Sequence, residues 1–289
     1  MRVGVIGVGI MGGAMAANLT RKGHDVVGFD TDPSKLRSLE ETGGRPAASV
    51  SEVAEAGEVV ILSLPTSAAL RDVAAELAWD RFAGTVCLET GTLPLEDKIR
   101  ARDLLAEHGV DLMDTPLSGT GLQAKDATLV VFASGSERGL ERARPVFEAI
   151  GRSTHYLGDF GNGSRMKYIA NLLVAVHSLA AAEAHALGLA AGMDPAQVQT
   201  VMEDGVGSSK ILEIRGPMMV ADDYTPAARL DIILKDAQLI EEYARSVGAT
   251  TPLLHSAVEV YLAASEAGLG DLDAAALCRH LERLSGIER

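Results

Sequence analysis

The sequence predicts an α/β chain in which a doubly wound parallel sheet is followed by an all-α C-terminal domain, with one long helix joining the two. Three observations predict it. Short β-branched runs alternate with helix-length amphipathic stretches up to about residue 157. A glycine-rich turn follows the first of these runs and opens a helix. After residue 161 the strand signal stops, and apolar residues recur at helical spacing through Leu284.

The strand runs are RVGVIG from Arg2, DVVGFD from Asp25, VVILSLP from Val59, TVCLE from Thr85, VDLMDTP from Val110 and ATLVVFASG from Ala127. The helical half is punctuated by Gly192, Gly205, Gly216-Pro217, Gly248, Pro252 and Gly268, which are residues that end helices. No polar linker divides the halves. The first helix after Gly161 is therefore expected to run from one domain into the other, and over 163–191 it would reach roughly 45 Å at about 1.5 Å per residue. The expected division is 1–160 for the sheet domain, 161–192 for the joining helix and 193–289 for the helical domain.

At 289 residues, 47% hydrophobic and 23% charged, the composition is that of a globular protein with room for two cores. A net charge of -14 argues against a nucleic-acid or anionic membrane partner. Cys87 and Cys278 lie far apart with no metal-ligand spacing, so neither a disulfide framework nor a metal site is expected, and a cytoplasmic location fits. The apolar stretch Leu172 to Met193 carries His177, Glu183 and His185 and reads as a buried helix rather than a membrane span.

In GVGIMGGAMAANL, Gly7, Gly9 and Gly12 fall in G-x-G-x-x-G order directly after a strand. Gly7 permits the tight turn, Gly9 lets a pyrophosphate approach the backbone, and Gly12 allows close helix–strand packing; the N–H groups that open the helix, at Ile10 and Met11, complete the cradle. Asp30 ends the second strand, where a carboxylate meets the ribose hydroxyls of a dinucleotide. These features make the first domain Rossmann-type and favour NAD over NADP, with Lys35 and Arg37 keeping NADP open. Asp32 has another explanation, because Asp followed by Pro33 is a helix start. Further on, Ser118-Gly119-Thr120-Gly121 could expose consecutive N–H groups and two hydroxyls to a carboxylate.

Four blocks in order, GVGIMGGAMAANL, DTPLSG, GNGSRMKYIAN and RLDIILKD, resemble the β-hydroxyacid dehydrogenases, the family that includes 3-hydroxyisobutyrate dehydrogenase and tartronate semialdehyde reductase. The resemblance covers nearly the whole chain. It implies an oxidoreductase that interconverts a small β-hydroxy acid and its semialdehyde with NAD, in which Lys167 is the catalytic acid or base and Asn171 positions the substrate. It further implies that Ser118 and Gly119, with Thr120 beside them, grip the substrate carboxylate. Lys235 would reach cofactor and substrate, while Leu64, Pro65 and Thr92 line the nicotinamide side. The chain departs from the family pattern at Thr120, Ala127 and Ala170, and at Gly91, which stands in place of a hydroxyl residue; these changes bear on substrate identity.

Lys167 and Asn171 are four residues apart and so share one helix face. A second cation at Lys235 would lower the lysine pKa toward working pH. None of the seven histidines has a carboxylate at an informative spacing; six read as structural and His155 is unassigned. The competing readings are an imine reductase-like enzyme, against which Lys167 counts, and a non-catalytic nicotinamide-binding protein. Large apolar helical faces in the second half suggest a homodimer or homotetramer.

Overall fold

The computed structural model describes residues 1–287, which form two compact units, one ending at Lys167 and the other beginning at Tyr168. The first unit opens with β1 (Arg2–Ile6), α1 (Ile10–Arg21), β2 (Asp25–Phe29), α2 (Pro33–Glu41), β3 (Arg45–Pro46) and α3 (Val50–Ala56). It continues with β4 (Val59–Leu62), α4 (Ser67–Leu77), β5 (Val86–Glu89), α5 (Leu95–Glu107) and β6 (Asp111–Asp114). These six strands form one parallel sheet in the order β3-β2-β1-β4-β5-β6, as the alternation predicts. The order reverses at β1 and β4, the place where such sheets bind ligands.

Register brings the strand ends level. Ile6 pairs with Phe29 and Leu62, Leu62 with Glu89, and Glu89 with Asp114. The chain therefore leaves the sheet along a single edge at Gly7, Asp30, Ser63, Thr90 and Thr115. Side chains alternate between faces with period two. Val5, Ile61, Leu88 and Met113 pack with α1 and α7 (Glu137–Ile150) on one side, while Ile6, Leu62, Cys87 and Leu112 pack with α3, α4 and α5 on the other.

Three strands were not anticipated. β3 and β7 (Leu117–Ser118) are two residues each, and β9 (Gly151–Tyr156) is polar and mostly exposed. The run ATLVVFASG does form a strand, β8 (Leu129–Ala133), but it sits in a separate sheet of order β7-β8-β9 rather than extending the first. β7 pairs antiparallel with β8, so the chain leaving β6 folds back instead of continuing the parallel order. α6 (Gly121–Lys125) lies between them. Asp32 is a helix cap, as its Pro33 neighbour suggests: its carboxylate accepts from Ser34 N at 2.8 Å.

α8 (Asn162–Ala190) is a continuous helix of 29 residues, about 44 Å by rise. By length and composition alone it could cross a membrane. Several of its side chains are nevertheless buried in protein, among them Tyr168, Ala175, Ser178, Ala182 and His185. The second unit continues with α9 (Pro195–Asp204), α10 (Lys210–Ala221), α11 (Leu230–Ser246), α12 (Pro252–Ala264) and α13 (Leu277–Leu284), and has no strand among the described residues. A buried ion pair organises it. Arg215 donates from Nε to Asp273 at 2.9 Å and from Nη1 to Ser178 Oγ at 2.9 Å, while Asp273 accepts the N–H groups of Ala227 and Ala228.

Candidate active site

The glycine turn after β1 is built by close approach. Gly7 has φ +86°, and a Cβ there would stand 2.3 Å from Ser63 O; a Cβ on Gly12 would stand 1.9 Å from Gly7 O. Neither position tolerates a side chain. Gly9 differs, since a Cβ built on it meets nothing within 4 Å, and no side chain caps the N-terminus of α1. Open space in front of uncapped N–H groups suits a pyrophosphate. Asp30 holds this turn as well as facing it: Oδ2 accepts from Val8 N and Oδ1 from Asp32 N, each at 2.9 Å. Each oxygen keeps a further lone pair for a ribose hydroxyl.

The Ser118 turn adjoins the same loop. A Cβ on Gly121 would lie 2.9 Å from Ile10 Cγ2, and Asn18 Nδ2 donates to Ala124 O at 2.6 Å, fastening α6 to α1. Gly119 is exposed at φ +142°, and Ser118 is half-buried. Thr120 is otherwise employed than the sequence suggests. It is the N-cap of α6, and its N–H donates to Gln123 Oε1 at 2.7 Å, so that donor is not offered outward to a carboxylate. The nicotinamide-side candidates follow the neighbouring strands: Leu64 and Pro65 follow β4, and Thr92 follows β5.

Beneath these turns lies a buried charge cluster absent from the sequence reading. Lys98 Nζ stands 2.5 Å from Glu89 Oε2 and 2.9 Å from Asp114 Oδ1, and donates to Gly91 O at 2.7 Å; all three charged side chains are fully buried. Burial pushes the Glu89 carboxyl upward, opposed by Lys98. Burial would lower the Lys98 ammonium, but Asp114 and Glu89 outweigh it and hold its pKa above the ordinary value. Asp114 also receives the start of α8: Ser164 N donates to Oδ2 and Ser164 Oγ to Oδ1, both at 2.7 Å. Lys167, half-buried, follows Ser164 by three residues.

In the second unit, one carboxylate gathers two candidates. Asn171 Nδ2 donates to Asp236 Oδ2 at 2.8 Å, and Lys235 Nζ lies 2.9 Å from Asp236 Oδ1. Lys235 is thus a paired cation, which weakens its expected use as a charge that depresses another lysine. Asp236 was overlooked although it ends the RLDIILKD block. Two histidines do have carboxylate partners, contrary to the spacing argument. His108 Nδ1 is 2.8 Å from Asp80, and His255 Nδ1 is 2.7 Å from Glu241. His155 lies exposed on β9. Among the described residues no group of histidine, cysteine and acidic side chains is arranged to hold a metal.

Comparison with known proteins places the whole chain. The sequence model for the NAD binding domain of 6-phosphogluconate dehydrogenase matches residues 2–158, and that for the NAD-binding of NADP-dependent 3-hydroxyisobutyrate dehydrogenase matches residues 161–281. The chain is 33% identical to an L-threonate dehydrogenase of Cupriavidus necator over 281 residues, covering 96% of this chain and 95% of the relative. It is 30% identical to the 2-hydroxy-3-oxopropionate reductase of Escherichia coli over 294 residues, covering 99% and 98%. A solved 3-hydroxyisobutyrate dehydrogenase from Salmonella typhimurium superposes with TM-score 0.88 at 30% identity, covering 97% of this chain and 99% of that one.

Proposed function

The chain belongs to the β-hydroxyacid dehydrogenase family, NAD(P)-dependent oxidoreductases of hydroxy acids and semialdehydes, and from that premise we propose that it interconverts a small β-hydroxy acid and its semialdehyde with NAD, Lys167 transferring the proton. The observation that carries this reading is the placement of Lys167. It stands three residues beyond Ser164, which bonds Asp114 through N–H and hydroxyl alike, and Asp114 begins the segment that ends at Ser118. A proton-transferring amine and a hydroxyl–glycine turn suited to a carboxylate are thereby fastened to the same buried anion.

When bound, NAD supplies the acceptor for the hydride that leaves the hydroxyl-bearing carbon. The residues of the chain do the rest. Gly7, Gly9, Ile10, Met11 and Gly12 offer backbone to the pyrophosphate, and Asp30 accepts from the ribose hydroxyls and repels a 2′-phosphate, favouring NAD. Ser118 and Gly119 take the substrate carboxylate. Neutral Lys167 accepts the hydroxyl proton at Nζ in oxidation, and its ammonium returns that proton in reduction. Asn171 and Lys235 are both held by Asp236.

The test is a panel of small hydroxy acids and semialdehydes followed by NADH absorbance, with variants assayed on the best substrate. Lys167→Ala should lower kcat by about 10²- to 10⁴-fold with NAD affinity retained, and Lys167→Arg should fail nearly as badly because guanidinium does not give up its proton. Near-normal turnover of Lys167→Ala would refute the assignment.

A further inference from the structure

We infer that the buried Lys98–Glu89–Asp114 cluster is a positioning device that sets Lys167 in register with the Ser118 turn and the Thr92 segment. The inference rests on Lys167 as the proton-transferring group. Each contact of the cluster reaches a segment that carries a candidate site residue. Lys98 binds the carbonyl of Gly91, next to Thr92, and the side chain of Glu89 two residues before it. Asp114 leads through Thr115, Pro116 and Leu117 to Ser118, and Thr115 N in turn donates to Glu89 O at 2.8 Å. Through Ser164, the Asp114 carboxylate caps the start of the helix that carries Lys167. Ser134 adds a second tether, since its Oγ accepts from Gly163 N at 2.9 Å and approaches Asp114 Oδ2 at 3.3 Å.

The helix start is seated on backbone. A Cβ on Gly163 would lie 2.4 Å from Phe132 O and 2.7 Å from Asp114 O, so α8 begins in direct contact with β8 and the end of β6. Rotation matters here. Slippage of the helix start by one residue would swing Lys167 by about 100° around the axis. Even a 1 Å misplacement of a reacting group can cost about 100-fold in rate.

Stability alone does not account for the cluster. Two carboxylates and one ammonium are withdrawn from water in the sheet edge, and apolar groups of similar volume usually serve stability as well or better. What an apolar replacement cannot supply is the set of directed bonds from one carboxylate to Lys98, Ser164 and Ser134. Asp114 is fully buried and so is not a substrate ligand. Its effect on the reaction passes through the segments it holds.

Two variants of the NAD-loaded enzyme test the assignment. Ser164→Ala removes one hydroxyl bond and keeps the backbone N–H; Asp114→Asn keeps the shape and removes the charge. We expect kcat to fall about 10-fold in Ser164→Ala and about 100-fold in Asp114→Asn, with calorimetric NAD affinity changed less than two-fold. Hydrogen exchange should quicken at the amides of residues 164–168. In a Lys167→Ala background, Ser164→Ala should add no further loss, because there is no amine left to misplace. Wild-type kcat in Ser164→Ala, or the same 10-fold loss in the Lys167→Ala background, overturns the positioning role. If Asp114→Asn does not fold, Ser164→Ala decides alone. Near-normal turnover of Lys167→Ala overturns the acid–base reading and the positioning role with it, whereas loss in Lys167→Ala without loss in Ser164→Ala overturns positioning only.

Discussion

Glu89 and Gly91 should behave as a single unit, and Gly91→Ser tests this by restoring the hydroxyl residue that the family pattern has at that position. The Glu89 side chain folds back over Gly91, its Oε1 accepting from Gly91 N at 2.9 Å while Oε2 meets Lys98. A Cβ at residue 91 would stand 2.8 Å from that Oε1 and 3.1 Å from Leu64 O, distances at which the carboxylate must move. Moving it loses a hydrogen bond to a charged group, about 1.5–3 kcal/mol. Gly91→Ser alone should therefore cost about 2–3 kcal/mol. Glu89→Asp alone withdraws a buried methylene and lengthens the reach to Lys98, costing about 1–2 kcal/mol. In the double variant the shorter acid vacates the space that serine needs, so the total should fall short of the sum by at least about 1 kcal/mol. Urea unfolding followed by fluorescence measures this cleanly, because the chain's one tryptophan, Trp79, belongs to the first unit. Additivity within about 0.5 kcal/mol would refute the coupling.

Asp30 holds the glycine turn and, in the proposed function, also accepts from the ribose, and its variants should separate these roles. Asp30→Asn keeps one acceptor oxygen for Val8 N but gives up the bond from Asp32 N, and should mainly narrow the preference for NAD over NADP, by about 10-fold, whereas Asp30→Ala releases both N–H groups and should weaken both cofactors. Calorimetry that finds a wild-type preference for NADP would refute the ribose role. The buried Cys87 thiol makes an alkaline prediction. Burial, reinforced by Asp111, pushes its pKa from 9.0 up to about 12, so the folded state retains a proton that the unfolded state releases. That contribution is intact below pH 9 and is lost as pH rises toward 12, at up to about 1.4 kcal/mol per unit. Urea midpoints at pH 8, 9 and 10 should show a decline that is shallower in Cys87→Ala.

The sequence exposes what is periodic and conceals what is paired. The central strands are legible because a parallel sheet covered on both faces demands apolar β-branched runs, and α8 because its apolar character persists for many turns. β9 is illegible because GRSTHY is polar along its length and pairs with β8 alone. Lys98 sits among Glu96, Asp97 and Arg100 in LEDKIR, where it reads as one more surface charge. A signal was present: Glu89 and Asp114 sit at the ends of adjacent buried strands, and buried acids side by side call for a cation or a proton between them. Asp236 escaped notice because Lys235 beside it took the functional role, and sequence adjacency does not reveal that Asn171, 65 residues earlier, shares its carboxylate.

The departures from the family pattern can now be reweighed. Gly91 accommodates the fold-back of Glu89, so it belongs to the buried cluster. Thr120 opens α6 with Gln123 as its reciprocal partner, so a hydroxyl residue there follows from helix capping. Ala127 lies at φ +53°, just past the end of α6, in the left-handed region where glycine is the unstrained choice. It is a backbone position, two residues ahead of β8. Gly91 and Thr120 thus have a local cause in the first unit, whereas the backbone angle at Ala127 explains a glycine better than an alanine, and nothing in the structure explains Ala170. In the proposed function the weight of specificity rests on the Ser118 turn and on Lys167. On that proposal Ser118 and Gly119 take the carboxylate, and Lys167 requires that the reacting carbon carry an exchangeable hydroxyl proton within reach of a helix start seated on Asp114.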